Sequence, residues 1–410
     1  MGRRLFAVAL LGLSLAATPS AQSVFGDPVV GPQRILVVLA TWGPQPFARD
    51  NVRRVVFDEA DAFYRAASYG KASLTGVVTP WLKAFEGPAA CTLLSLRAAG
   101  SAAASAAGYD PAAYDRVIYL HPAAGCPWSG VTFATAVYLN GALNRHLVAH
   151  ELGHSYGLAH ANTTSCRRHG CPAVEYGDPY DTMGEGDGDF GAESKVKLGW
   201  LTRVAKPSSS GVYGLDPLER PSAGNQAIVL TTAGDEYWIE YRAQRGGPRA
   251  GPGVLLRVSP SPDLRGPETD AARNLLLANP SGRGHPELRT GERFVDPGAF
   301  TLRVLRPVSG HARLRFRWTD KVAPKAPHLM SSVVGGNLQL TLESAKEDGS
   351  GVANYIVTLD GGAVHRVAND ATDEPVIVGR PLPGTHTLRV VAVDRAGNRS
   401  APAVRRFRVR

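Results

Sequence analysis

The chain of 410 residues is poor in sulfur, with 4 cysteines and 3 methionines. That is far too few cysteines for the disulfide-dense scaffolds of small extracellular domains. Beyond its N-terminal residues it has no run approaching the roughly 20 apolar residues that a bilayer-spanning helix needs, so no membrane span is expected. No internal repeat is evident, which argues against solenoids and propellers. Charged residues are 20% of the chain and apolar ones 44%, a balance that excludes wholesale disorder and allows real cores. The formal charge is +9, carried mostly by arginines dispersed along the sequence. A dense basic stripe interleaved with aromatics is missing, so no nucleic-acid role is expected. The length suggests about two to four domains.

What the chain does have begins at its N-terminus. Arg3 and Arg4 precede a mostly apolar run from Leu5 to Ala17, and small residues follow at Ser20, Ala21 and Ser23. This is the pattern of a secretory signal over 1–23, so the mature chain is expected to be secreted and extracellular, with the periplasm as the alternative. The even number of cysteines fits an oxidising compartment. Three pairings are open. Cys166–Cys171 would close a small loop and is favoured, leaving Cys91–Cys126. A second zinc site at Cys166 and Cys171, with His169 between them, is the alternative, but it lacks a fourth nearby ligand.

The most informative stretch is His150 to His160, HELGHSYGLAH. It fits HExxHxxGxxH at every fixed position. His150 and His154, four apart on a helix, lie on one face and can share a metal ion. Gly157 ends the helix, because glycine adopts a left-handed conformation cheaply. The chain can then return and deliver His160 as a third nitrogen ligand, which suits a catalytic zinc with one position left for water. Glu151, beside the first ligand, reaches that water rather than the metal and is the candidate general base.

Periodicity places this helix in an α/β layer. Apolar runs at 34–41, 72–79, 116–121 and 135–140 read as strands. Residues 51–68 read as an amphipathic helix with Val52, Val55, Val56, Ala60, Phe63 and Ala67 on one face. The alanine-rich 98–107 reads as another helix.

The HELGHSYGLAH stretch resembles the zinc motif of the metzincin peptidases. The resemblance implies a methionine in a tight turn downstream, and Tyr180-Asp181-Thr182-Met183-Gly184 stands in that place, making Met183 the structural Met-turn residue. Ser68-Tyr69-Gly70-Lys71, Cys126-Pro127-Trp128-Ser129-Gly130, Glu175-Tyr176-Gly177-Asp178 and Lys197-Leu198-Gly199-Trp200-Leu201 narrow the likeness to gametolysin-type metalloproteases over about residues 30–202. It implies a mixed sheet carrying the active-site helix, a cleft, and 135–140 as the edge strand that pairs with an extended peptide. Two features depart from the wider pattern. Glu185 stands where some metzincins place a tyrosine ligand, and the residues between the signal and the first strand hold no cysteine to cap a metal.

Residues 203–320 change character, with more proline and glycine between short runs at 227–230, 236–242, 254–258, 300–305 and 314–318. They read as a β-rich domain. Residues 321–327 (KVAPKAP) form a linker. Residues 328–410 carry about seven short strands and resemble a fibronectin type III-like β-sandwich, a spacer or a module that binds a surface or another protein. Calcium has weak candidates in Glu185, Asp187 and Asp189, which do not fit an EF-hand loop and read better as a solvated turn, and in Asp263, Glu268 and Asp270.

The expectation is a multidomain secreted zinc endopeptidase. A catalytic segment, 24–202, precedes the β-rich domain and the sandwich, and a protein or peptide is the substrate. The same residues fit a non-peptidase zinc hydrolase acting on cell-wall amides. They also fit a catalytically degenerate surface-binding protein, although such a protein has no need of Glu151.

Overall fold

The computed structural model describes residues 28–165, 172–232, 234–245, 250–260, 274–343, 349–362, 364–369 and 375–409. The expected signal over 1–23, the favoured Cys166–Cys171 pairing and the weak calcium candidates Asp263, Glu268 and Asp270 lie outside them. The chain is β-rich and multidomain, with several mixed or antiparallel sheets and few helices. No helix among the described residues is long and apolar enough to cross a membrane.

The first sheet contains β1 (Gly31–Thr41), β2 (Ala72–Lys83), β3 (Arg116–His121), β4 (Gly130–Phe133) and β5 (Ala136–Asn140), in the order β2-β1-β3-β5-β4. All pairs are parallel except β4–β5. The unbroken apolar run of β1 follows from burial on both faces. Ile35, Val37 and Leu39 pack with Val52, Tyr64, Val148 and Leu152 on one side. Leu36, Val38 and Ala40 pack with Leu96, Ala104, Tyr119 and Tyr138 on the other. Cys91 and Cys126 form a disulfide with Cα atoms 5.5 Å apart.

Three consecutive helical segments, Arg49–Arg54, Val55–Ala60 and Asp61–Ala67, run together on the first of these faces, the middle one with π spacing. Tyr69 and Gly70, at φ 59° and 79°, stop them. The buried aromatic of this run is Tyr64 rather than Phe63, and its hydroxyl donates to Ala149 O at 2.8 Å. The helix on the opposite face spans Leu93–Ala106 and starts earlier than the alanine run suggests, because Leu96 is part of its buried face. Gly100 lets it close on the sheet, since a Cβ there would fall 2.6 Å from the Tyr119 ring.

One expectation is overturned here. Residues 135–140 do not form the edge strand. β5 lies between β3 and β4, with β4 outermost. Thr135 follows Ala134, whose φ of 53° turns the chain so that β4 folds back along β5 as a hairpin. The short β4, with its mixed side chains, does not stand out in sequence as a strand.

The second sheet joins the two segments that the sequence reading separates at residue 202. It contains β6 (Thr163–Thr164), β7 (Ala173–Val174), β8 (Val204–Ala205), β10 (Ala227–Thr231), β11 (Asp235–Arg242), β12 (Gly253–Pro260) and β13 (Leu275–Leu277). β6 pairs in parallel with β13, so the loop after His160 is bonded to the β-rich part. β9 (Gly211–Leu215), β14 (Arg293–Asp296), β15 (Phe300–Val308) and β16 (His311–Trp318) form a third, antiparallel sheet in the order β14-β15-β16-β9. It shares one core with the second, through Leu256, Phe294, Phe300 and Phe316 among others.

The C-terminal strands are β17 (His328–Val334), β18 (Asn337–Glu343), β19 (Val352–Leu359), β20 (Val364–Ala368), β21 (Val376–Gly379), β22 (Gly384–Asp394) and β23 (Ala403–Val409). They make two antiparallel sheets around a common core of Leu340, Tyr355, Val357 and Val390. Asp320 holds the entrance to this unit, accepting from Ser350 N at 2.8 Å.

Candidate metal centre

Helix Arg145–Ser155 carries the motif. Asn144 caps it, its side chain accepting from Leu147 N at 2.8 Å, a partner that the first turn of a helix cannot supply itself. Every residue from Val148 to Gly153 is buried, so the polar face of the helix looks into the protein rather than into solvent. The helix ends as the motif predicts. Gly157 has φ 84°, and Leu158 N donates to Gly153 O at 3.0 Å, a left-handed cap that turns the chain back toward the helix.

That reversal brings His160 beside His150 and His154, with one ligand atom of each within 4.8 Å of the others. The three imidazoles share one arrangement. His150 Nδ1 lies 2.9 Å from Thr182 O, and His154 Nδ1 lies 2.8 Å from Leu158 O. His160 Nδ1 lies 2.8 Å from Glu175 Oε1. A carbonyl or carboxylate oxygen only accepts, so each Nδ1 carries a proton and Nε2 is the nitrogen left to face a metal. Burial depresses His154 and pushes His150 down to about 4, the Thr182 carbonyl opposing the latter shift. His150 Nε2 and His154 Nε2 are 3.1 Å apart. Two lone pairs facing each other at that distance repel unless a cation lies between them, so the residues fit a metal that prefers nitrogen donors.

Glu151 points from the same helix toward β4. Its carboxyl is buried and pushed up to about 7, mainly by burial, with the Thr132 hydroxyl opposing. Thr132 Oγ1 lies 2.7 Å from Glu151 Oε2 and 2.8 Å from Glu151 O. A Cβ at Gly130 would fall 2.6 Å from Glu151 Oε1. The edge strand thus both holds the carboxylate and leaves room for it.

Met183 is buried, and a Cβ on Gly153 would come within 2.4 Å of its sulfur, so the glycine in HELGH allows the methionine to lie directly against the helix. The preceding Thr182 O is the His150 acceptor, and Met183 O accepts from Ala161 N at 2.9 Å. The 180–184 turn is therefore bonded both to the first histidine and to the residue after the third.

Three neighbours have no site role assigned from the sequence, although Glu175 and Tyr176 stand in a stretch that carries the resemblance. Tyr176 packs its ring 4.0 Å from that of His160, in a left-handed backbone (φ 58°) fixed by Asn162 Oδ1 at its N–H and by Glu185 N at its carbonyl. Glu175 orients His160. His146, one turn before His150, has its ring 5.9 Å away, and only its helical spacing could have signalled it. Of the carboxylates considered for calcium, Asp187 pairs with Arg145 and Asp189 with buried Lys195.

The segment after residue 177 is locked to the second sheet by buried charge. Arg257 of β12 pairs with Asp178 and lies 3.3 Å from Glu240 of β11. Glu240 also accepts from Arg242 and from Ala192 N, at 2.9 and 2.7 Å. Burial alone would raise Glu240, but Arg242 and Arg257 outweigh it and hold the carboxyl at about 2. Asp181, equally buried, is raised to about 6 despite Arg257.

Residues 47–234 match the model of the gametolysin peptidase M11 family. The match includes the whole histidine cluster and supports a gametolysin-like metallopeptidase. Among solved structures, the spore cortex lytic enzyme SleM of Clostridium perfringens is 14% identical, with a TM-score of 0.20, over 26% of this chain and 38% of that one. A bacterial orthologue of human α-L-iduronidase is 22% identical, with a TM-score of 0.16, over 23% of this chain and 17% of that one. At those scores neither likeness bears on the fold. A comparison with curated proteins gives no match.

Proposed function

We propose that the chain is an exported zinc endopeptidase of the metzincin type, with His150, His154 and His160 as metal ligands, Glu151 as general base and Met183 as the Met-turn residue. The convergence of three Nε2 atoms, each fixed by its own Nδ1 acceptor, carries this reading. Zinc, when bound, would supply Lewis acidity toward a water and a scissile carbonyl.

The protein's own residues do the rest. Glu151 takes the proton of the attacking water and returns it to the leaving amine. Thr132 and Gly130 keep its carboxylate in place, and Thr182 O, Leu158 O and Glu175 keep the imidazole tautomers. The outer edge of β4 offers unpaired backbone groups to which an extended peptide can add as a further strand. The C-terminal strands fit a fibronectin type III-like module serving as spacer or surface binder.

The metal assignment is tested by elemental analysis and chelation. One zinc per chain is expected, with hydrolysis abolished by chelator and restored by zinc. His154→Ala should lose both metal and activity. Active protein without a bound transition metal would end this reading.

The edge strand makes a separate prediction. In Gly130→Ala the new methyl would force the Glu151 carboxylate aside, its nearest neighbours being Glu151 and Leu147. Hydrolysis should fall by about 10²-fold, the effect of a misplacement near 1 Å, with zinc content unchanged. Wild-type turnover in this variant would mean that β4 does not position Glu151.

A further inference from the structure

Part of the basic charge that looks scattered in sequence is gathered on one face of the third sheet. Between Phe300 and Trp318 the chain has Arg303, Arg306, Arg313, Arg315 and Arg317 and no acidic residue. In β15 and β16 the alternate residues Leu302, Val304, Leu314 and Phe316 face the core, so Arg303, Arg313, Arg315 and Arg317 share the outer face. Pairing then adds a third strand. Arg293 lies directly opposite Arg303, and Arg303 directly opposite Arg315. Three guanidiniums therefore stand in one row across strands about 4.8 Å apart. Arg313 and Arg317 flank the row along β16.

All five side chains are exposed, and none makes an ion pair among the described residues. Like charges directly opposite each other destabilise a sheet, so fold stability does not account for the row. A hollow of about 310 Å³ at its β14 end is lined by Ser281, Arg283, Gly291, Glu292, Arg293 and Arg303. Its carboxylate, Glu292, accepts from Arg289 N at 2.8 Å and lies 3.4 Å from His285 Nε2 and 3.6 Å from Arg283 Nε, which leaves Arg293 and Arg303 without an ion pair among the described residues.

We infer that this face binds an extended acidic polysaccharide bearing carboxylates. The planar fork of arginine matches a carboxylate in two parallel hydrogen bonds, and every cation of the row is arginine. The competing polyanions fit less well. The outward positions Val295, Thr301, Leu305 and Val212 offer no aromatic ring on which nucleobases could stack, and the one outward ring of β16, His311, is paired with Asp216. The apolar residues of the face, Val295, Leu305 and Val212, are interspersed with the arginines and include no aromatic anchor of the kind that centres a protein interface or inserts into a lipid surface. A flat, open array of guanidiniums suits a flexible, fully hydrated chain with regularly repeated charges. This inference is independent of the metal centre.

The test is binding of the full chain to polygalacturonate, followed over a series of salt concentrations. Arg303→Ser/Arg313→Ser/Arg315→Ser should weaken binding at least tenfold and make the salt dependence shallower, as fewer counterions are released. Its thermal midpoint should not fall, because like-charge repulsion is removed. A control with the same change in net charge, Arg399→Ser/Arg405→Ser/Arg408→Ser, should bind as wild type does. Equal losses in the two triple variants would reduce the effect to net charge and overturn the proposal. So would unchanged binding in the first variant. Tighter wild-type binding to duplex DNA, polyglutamate or phosphatidylglycerol vesicles than to polygalacturonate would also overturn it.

Discussion

Glu151→Gln should retain its zinc and lose at least ~10²-fold in peptide hydrolysis, the lower end for removal of a general base. The substitution keeps the size of a side chain that has almost no spare room. Gly130 lies so close to it that even a methyl there would clash, and the Thr132 hydroxyl can still donate to the remaining amide oxygen. None of the three imidazoles depends on it, since their Nδ1 partners are Thr182 O, Leu158 O and Glu175. Metal content and thermal midpoint should therefore match the wild type while turnover does not. Thr132→Val gives the graded counterpart, because it leaves the carboxylate in place and removes only the group that orients it. Elemental analysis and peptide turnover on the same samples decide the matter. A Glu151→Gln protein that cleaves at the wild-type rate with zinc in place would refute the role given to this carboxylate.

The histidine cluster was legible in the sequence because its geometry is local. The i, i+4 spacing and the glycine that reverses the chain are both written within His150–His160. The parallel sheet was legible for a related reason: β1, β3 and β5 are buried on both faces and read as unbroken apolar runs. The edge strand was not, because β4 is four residues long, only half-buried, and defined by a backbone turn at Ala134 rather than by hydrophobic content. Thr132, Glu175 and Tyr176 were missed as site residues for a different reason. Each meets the site across a loop or strand pairing, and nothing in its neighbours announces the partner. The arginine row is the clearest case. Alternation separates Arg313, Arg315 and Arg317 of β16 by apolar residues, and β14 and β15 add only Arg293 and Arg303 to the face, so the charge looks dispersed along the chain. Only the Arg293–Arg303–Arg315 register makes it a patch.

Arg257→Met should cost about 3–5 kcal/mol of stability, the range for removing one partner of a buried ion pair. The side chain is wholly buried between Asp178, in the loop leading to Met183, and Glu240 of β11. Methionine fills comparable space, so the loss comes mainly from stranding charge rather than from a cavity. Glu240 keeps Arg242 and the Ala192 amide, but among the described residues Asp178 keeps the backbone donor Tyr180 N and no cation. The damage should therefore centre on the 178–184 loop. That loop supplies Thr182 O to His150, so zinc affinity should fall along with stability, by about 10–100-fold as for loss of a partner that orients a ligand. Denaturant midpoints and zinc titrations measure the two effects separately. The double variant Arg257→Met/Asp178→Asn supplies the control: with the stranded charge gone, it should recover much of the stability lost in the single one. If Arg257→Met unfolds at the wild-type midpoint and binds zinc as tightly, the β-rich part does not brace the metal centre through this pair, despite the strand pairing of β6 with β13 that joins them.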